Sequence, residues 1–227
     1  MATDELDKGN RGAFERLRAW PVVFNVNQAA RYLGTPDNDL ASVYLARWKK
    51  RGMVQSTGPR SGVYFNLVAN PHAAQDHLVD ALLLAFPSAV LIGASVLHRA
   101  GWTTQIPSKL HVACLGASDG RRSVPLWDEV AFFTRPKAWY EQFHSQISRD
   151  RSAGVLPALS PAAALADAYS LASYKDPMEW RPDADDLDIP PECLDEVRAT
   201  WLTAGLAEDD LDALLEGDGP RSPAPRT

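Results

Sequence analysis

Cysteine is scarce in this chain. Cys114 and Cys193 are its only two, far apart and without metal-ligand spacing, so no disulfide framework or thiolate zinc site is demanded. Such usage is compatible with a reducing compartment. Long apolar runs are missing as well: none approaches the roughly 18 uninterrupted residues that a membrane span needs. The polar, acidic start, Met1 to Gly12, lacks the apolar segment of a secretory signal. A cytoplasmic protein with no membrane partner is expected. Nothing repeats at a fixed period. There is no glycine-rich GxxxxGK[ST] phosphate loop. The five histidines, His72, His77, His98, His111 and His144, never fall into HExxH or another tight ligand pair. No metal, no cofactor and no catalytic residue is expected, and the chain reads as a non-enzyme.

What is present is charge asymmetry. The 227 residues carry a formal net charge of −6. Residues 11–66 hold nine cations against Glu15, Asp37 and Asp39, a net of +6, which leaves −12 for the remainder. A basic module fused to an acidic one suggests that only the first meets phosphates. With 45% apolar residues the chain can bury a core in one large domain or two small ones.

The basic module has a recognisable order. Gly12 to Trp20 fits a first helix, and Pro21 stops it. Val22-Val23-Phe24 is β-prone and leads to Asn25 or Asn27 as an N-cap. Gln28 to Leu33 fits a second helix ended by Gly34. After the turn Thr35-Pro36-Asp37-Asn38, Asn38 or Asp39 would cap a third helix running to about Arg51. On it Ala41, Leu45 and Trp48 share one buried stripe. Met53 to Gln55 and Val63 to Phe65 bracket Ser56-Thr57-Gly58-Pro59-Arg60-Ser61-Gly62, a hairpin with a basic tip. Helix, helix, turn, basic helix, hairpin is the order of a winged helix-turn-helix, and it points to duplex DNA.

Past Asn66 the character changes. Asn70-Pro71 reads as a linker. Helices are expected over Ala74 to Phe86, Gly93 to Ala100, Ser160-Pro161 to about Tyr174, Cys193 to Ala204 and Glu208 to Leu215. Lys109 to Leu115 and Glu129 to Thr134 alternate like strands, and Trp139 to Ile147 suits helix or strand equally. Asp176 to Pro191 is an acidic, proline-punctuated loop. The fold class is therefore α+β: a winged helix-turn-helix over 10–68, an α+β domain with a small sheet over 72–216, and a disordered tail over 217–227. Of the seven tryptophans, Trp180 in the acidic loop is the one expected to be exposed, and the others serve as core or interface anchors.

In the second domain Gly93-Ala94-Ser95 resembles the Gly-Ser turn of nucleotidyltransferases. Those enzymes also need paired carboxylates on the next strand to hold Mg²⁺, and Lys109 to Leu115 has no acid. Ser95 and His98 lie one helical turn apart, but no acid completes a triad. His111 is expected to be a packed or surface residue and not a ligand. Asp183, Asp185, Asp186 and Asp188 read as solvated charge, and Asp167 as the donor's partner in a structural hydrogen bond.

A helix with a buried back and a polar, cationic front fits the major groove, where base edges differ. Ser42 and Arg47 are the base-edge candidates. Lys49, Lys50 and Arg51 suit phosphates, Arg60 on the wing a flanking groove or backbone, and Asn38 a phosphate beside the helix N-terminus. Helix capping alone, with cations favoured at a C-terminus, accounts for one or two of these charges.

Three stretches resemble the AbiEi antitoxins of type IV toxin–antitoxin systems. The first is the basic module, ending in Arg51-Gly52-Met53-Val54 and Gly62-Val63-Tyr64-Phe65. The second carries Gly93, Ser95, Leu97, His98, Gly101, Gln105, Pro107 and Val112. The third carries Ser160, Pro161, Leu165 and Asp167. Together they span roughly residues 10–175; Ala162 and Ala163 stand where a charged pair is common. The resemblance implies a repressor of its own toxin–antitoxin promoter, binding inverted repeats as a monomer or weak dimer. It also implies a C-terminal domain that counteracts a cognate nucleotidyltransferase toxin, with direct contact not required. The alternative is a transcriptional regulator whose second domain senses a ligand or partner, unrelated to a toxin.

Overall fold

Apolar stripes, caps and turns set the elements of this α+β chain. The computed structural model describes residues 12–35, 37–58, 61–117, 120–122, 130–148, 154–170, 182 and 184–217. Its contacts group the chain into two units. The first runs to Pro87 and includes a short later return ending at Val155; the second holds the remaining residues.

In the first unit, helix α1 (residues 12–18) ends in a turn at Ala19-Trp20 before Pro21, which has no N–H to continue it. Strand β1 (Val23–Asn25) leads directly into α2 (Val26–Leu33). Asn25 is the cap. Its Oδ1 accepts from the Gln28 N–H at 2.9 Å, and Gln28 Oε1 accepts from the Asn25 N–H at 2.8 Å, a reciprocal capping box that starts the helix at Val26. Gly34 closes α2 at φ 64°. Helix α3 (Asn38–Lys50) is capped by neither Asn38 nor Asp39: extended Asp37 accepts from the Leu40 N–H at 2.9 Å. As expected, Ala41, Leu45 and Trp48 are buried.

Strands β2 (Val54–Ser56) and β3 (Val63–Asn66) form the antiparallel hairpin, with Gln55 opposite Phe65. The β1 strand pairs with the other edge of β3, giving the order β1-β3-β2. Behind the sheet, Leu17, Phe24, Ala29, Ala41 and Leu45 are fully buried. Trp20 packs its ring edge-on against Phe24 and Trp48, each at 5.4 Å. Buried Asn66 fastens the core to α1. Its Nδ2 donates to the Leu17 carbonyl at 2.6 Å, and its Oδ1 accepts from the N–H groups of Val68 and Ala69.

The contacts of the first unit continue past the expected boundary at 68–72. Asn70 does not open a linker; its Oδ1 accepts from the His72 N–H at 2.8 Å, turning the chain into α4 (Ala73–Asp76) and α5 (Leu78–Ala85). The expected single helix is broken at His77, whose ring meets Asp80 at 2.8 Å. Helix α5 packs on β1 and β3, so it belongs to the first unit.

The second unit is built on a four-stranded sheet ordered β4 (Val90–Leu91), β5 (Leu110–Leu115), β7 (Val130–Arg135) and β6 (Gly120–Arg122). Strand β4 is antiparallel to β5. Strands β5 and β7 are parallel, with Val112 opposite Phe132, and β6 runs antiparallel to β7. Helix α6 (Gly93–Ala100) follows β4. The undecided segment resolves as α7 (Lys137–Gln142), a 3-10 turn, and an isolated bridge from Ile147 to Leu159.

Helix α8 (Pro161–Ser170) starts as expected, with Ser160 Oγ accepting from the Ala163 N–H at 3.2 Å. It is enclosed on every side from Ala162 to Tyr169. Residues 171–174 of its expected span, Trp127, Trp180, Asp183 and 218–227 of the tail lie outside the described residues. Asp167 has more than one hydrogen bond. It takes Arg135 Nη2 at 3.1 Å and Trp139 Nε1 at 2.6 Å, with both charged side chains wholly buried. Helices α9 (Leu194–Thr203) and α10 (Glu208–Leu215) close the unit, joined by Arg198 to Glu208 and to Asp212.

Candidate nucleic-acid interface

The back of α3 fixes its front. At 100° per residue, the buried Ala41, Leu45 and Trp48 leave Asp39, Val43, Ala46 and Lys50 along the outermost line. Ser42 and Lys49 lie on one flank, and Arg47 and Arg51 on the flank facing α1. All of these residues are exposed. The aliphatic Val43 is 46% exposed on this line.

The expected contact residues divide by geometry. Lys49, Lys50, Arg47 and Arg51 are exposed and, among the described residues, form no ion pair. Ser42 donates its hydroxyl to the Asn38 carbonyl at 2.7 Å, which leaves its oxygen lone pairs free to accept. Asn38 donates to Asn27 Oδ1 at 2.6 Å and so ties α2 to α3. The Asp37 carboxylate already occupies the N-terminal dipole, where an arriving phosphate would meet a like charge. Arg60 lies outside the described residues. Asp39 and Val43 were not singled out from sequence, although the same helical wheel places both outermost.

Outside this helix, several polar and titratable groups singled out from sequence are engaged in local contacts. Ser95 Oγ accepts from the His111 N–H at 2.9 Å, while the His98 ring contacts the Thr103 carbonyl at 3.4 Å, so the two do not form a nucleophile–base pair. His111 packs its ring edge-on to Phe133. Asp186 corrects the expectation of solvated charge. It accepts from Thr104 Oγ1, Thr103 Oγ1 and the Gln105 N–H. These bonds, the Thr104 one first, hold its carboxyl below the usual range. No cluster of three or more His, Cys, Asp or Glu that could hold a metal occurs among the described residues. No described helix is long and apolar enough to cross a membrane.

No protein-family model matches the chain, and no curated protein matches it. Among solved structures, the crystal structure of the Rv2827c protein from Mycobacterium tuberculosis is similar at 20% identity, covering 88% of this chain and 68% of that one. Its TM-score of 0.44 is too low to carry an argument about fold.

Proposed function

We propose that the chain is a cytoplasmic DNA-binding antitoxin. Its first unit docks α3 in the major groove of promoter inverted repeats, represses its own toxin–antitoxin promoter, and leaves to the second unit the task of counteracting a nucleotidyltransferase toxin. The observation that carries the DNA part is α3: Lys50 on its outermost line and Lys49, Arg47 and Arg51 on its flanks are exposed and form no ion pair among the described residues, on a tryptophan- and leucine-anchored back. Element order supports it, since a recognition helix preceded by a helix and followed by a hairpin is a recurrent reader of duplex DNA. The antitoxin part rests on the resemblance to the AbiEi antitoxins.

Two measurements test this. In a gel shift, duplex from upstream of the gene should bind more tightly than random duplex. About six phosphate contacts or more would weaken binding by at least about 10³-fold between 50 and 200 mM salt. In co-expression with the adjacent reading frame, the chain should restore growth. Specific DNA binding without growth rescue would leave a transcriptional regulator unrelated to a toxin. Absence of duplex binding would end the DNA reading.

A further inference from the structure

The surface between α1 and α3 is hollow. Tyr44, Arg47, Trp48 and Arg51 on successive turns of α3, with Arg16 on α1, line a cavity of about 370 Å³. Three arginine side chains border one space, and among the described residues none of them forms an ion pair. Each brings five N–H donors and no acceptor. Trp48, 3% exposed, forms the floor on the α3 side. Clustered like charges repel, so the arrangement favours an anion among them.

Forked guanidinium groups match the oxygens of phosphate better than point charges do. The hollow is larger than one phosphate group and leaves room for an attached sugar. Its rim also lies on the flank of α3 beside the outward line, where the backbone of a groove-bound duplex would run. We propose that this hollow seats one phosphate group, shared by Arg16, Arg47 and Arg51. The source of that phosphate, the DNA backbone, rests on the function proposed above; the chemistry of the seat does not. Arg47 then holds the backbone rather than reading a base.

The test uses the full-length chain, Arg16→Gln, and the triple variant Arg16→Gln/Arg47→Gln/Arg51→Gln; all three positions are exposed, so folding should be kept. Duplex affinity is followed across a salt series. The arginine Nε–H signals are titrated with inorganic phosphate against chloride at equal ionic strength. The triple variant should weaken upstream and random duplex by the same factor. Its salt slope should fall by about 0.9, the value for one phosphate contact. Arg16→Gln alone should reduce the slope by less. A fall of about 2.7, the value for three separate contacts, overturns the shared seat, and so does unchanged affinity. If the unmodified chain binds no duplex, the DNA reading fails by itself. Phosphate-specific shifts at all three arginines would then support a seat for free phosphate, and their absence would overturn the seat.

Discussion

Val43 and Lys50 sit on the same outermost line of α3 but offer a groove different chemistry. A methyl-bearing side chain can meet the C5-methyl of thymine, which only one base edge presents in the major groove. An ammonium on a flexible stem meets any phosphate. Val43→Ser should therefore change which duplexes are preferred and leave the salt dependence as it was. Lys50→Ala should weaken upstream and random duplex alike, with the slope of log affinity against log salt falling by about 0.9. A binding-site selection paired with a salt titration on each variant separates the two. Loss of selectivity on removing Lys50, or of salt dependence on removing Val43, would reverse these roles. Asp39, at the N-terminal end of the same line, limits what base it can face: a carboxylate accepts, so cytosine N4–H₂ is its match.

Elements whose cause is local were legible in the sequence. The stripe Ala41, Leu45, Trp48, the Gly34 stop and the Ser160-Pro161 start each depend on residues within a turn or two, and each stands in the structure. Caps were legible unevenly: the α2 cap fell within the expected pair Asn25 or Asn27, whereas the α3 cap, Asp37, lay one residue before the expected Asn38 or Asp39, because neighbouring Asn and Asp side chains compete for the same N–H groups. Backbone conformation decided for Asn25 and Asp37. What sequence could not give was distant in the chain. Asn66 reaches the Leu17 carbonyl, and Asp167 reaches Arg135 on β7, through contacts that no periodicity encodes. The α2 capping box gives a direct check on the local kind. Asn25→Ala removes the acceptor for the Gln28 N–H and should lower stability by about 0.5–2 kcal/mol. A urea titration would read this as an earlier midpoint with an unchanged slope. Restoration by Asn25→Ser, another good cap, would show that the cap and not the residue's bulk is responsible.

Charge divides the molecule more simply than folding does. The basic stretch ends by residue 66, yet the contacts of the first unit continue to Pro87. By composition Asn70-Pro71 has the makings of a linker, while in the structure the Asn70 side chain works as a turn that feeds α4 and α5 back onto the sheet. This has a consequence for dissection. A fragment of residues 1–70 keeps every cation of α3 but loses α5, whose packing covers β1 and β3. Exposing that face removes buried apolar area at about 25 cal/mol per Å², a serious loss for so small a domain. Residues 1–87 should therefore fold cooperatively and bind duplex, whereas residues 1–70 should melt earlier and bind more weakly. Thermal unfolding and gel shifts on the two fragments check this. On the function proposed above, neither fragment should rescue growth when co-expressed with the adjacent reading frame, because the second unit is absent from both. Rescue by residues 1–87 would mean that repression alone suffices, and the acidic unit would then need another role.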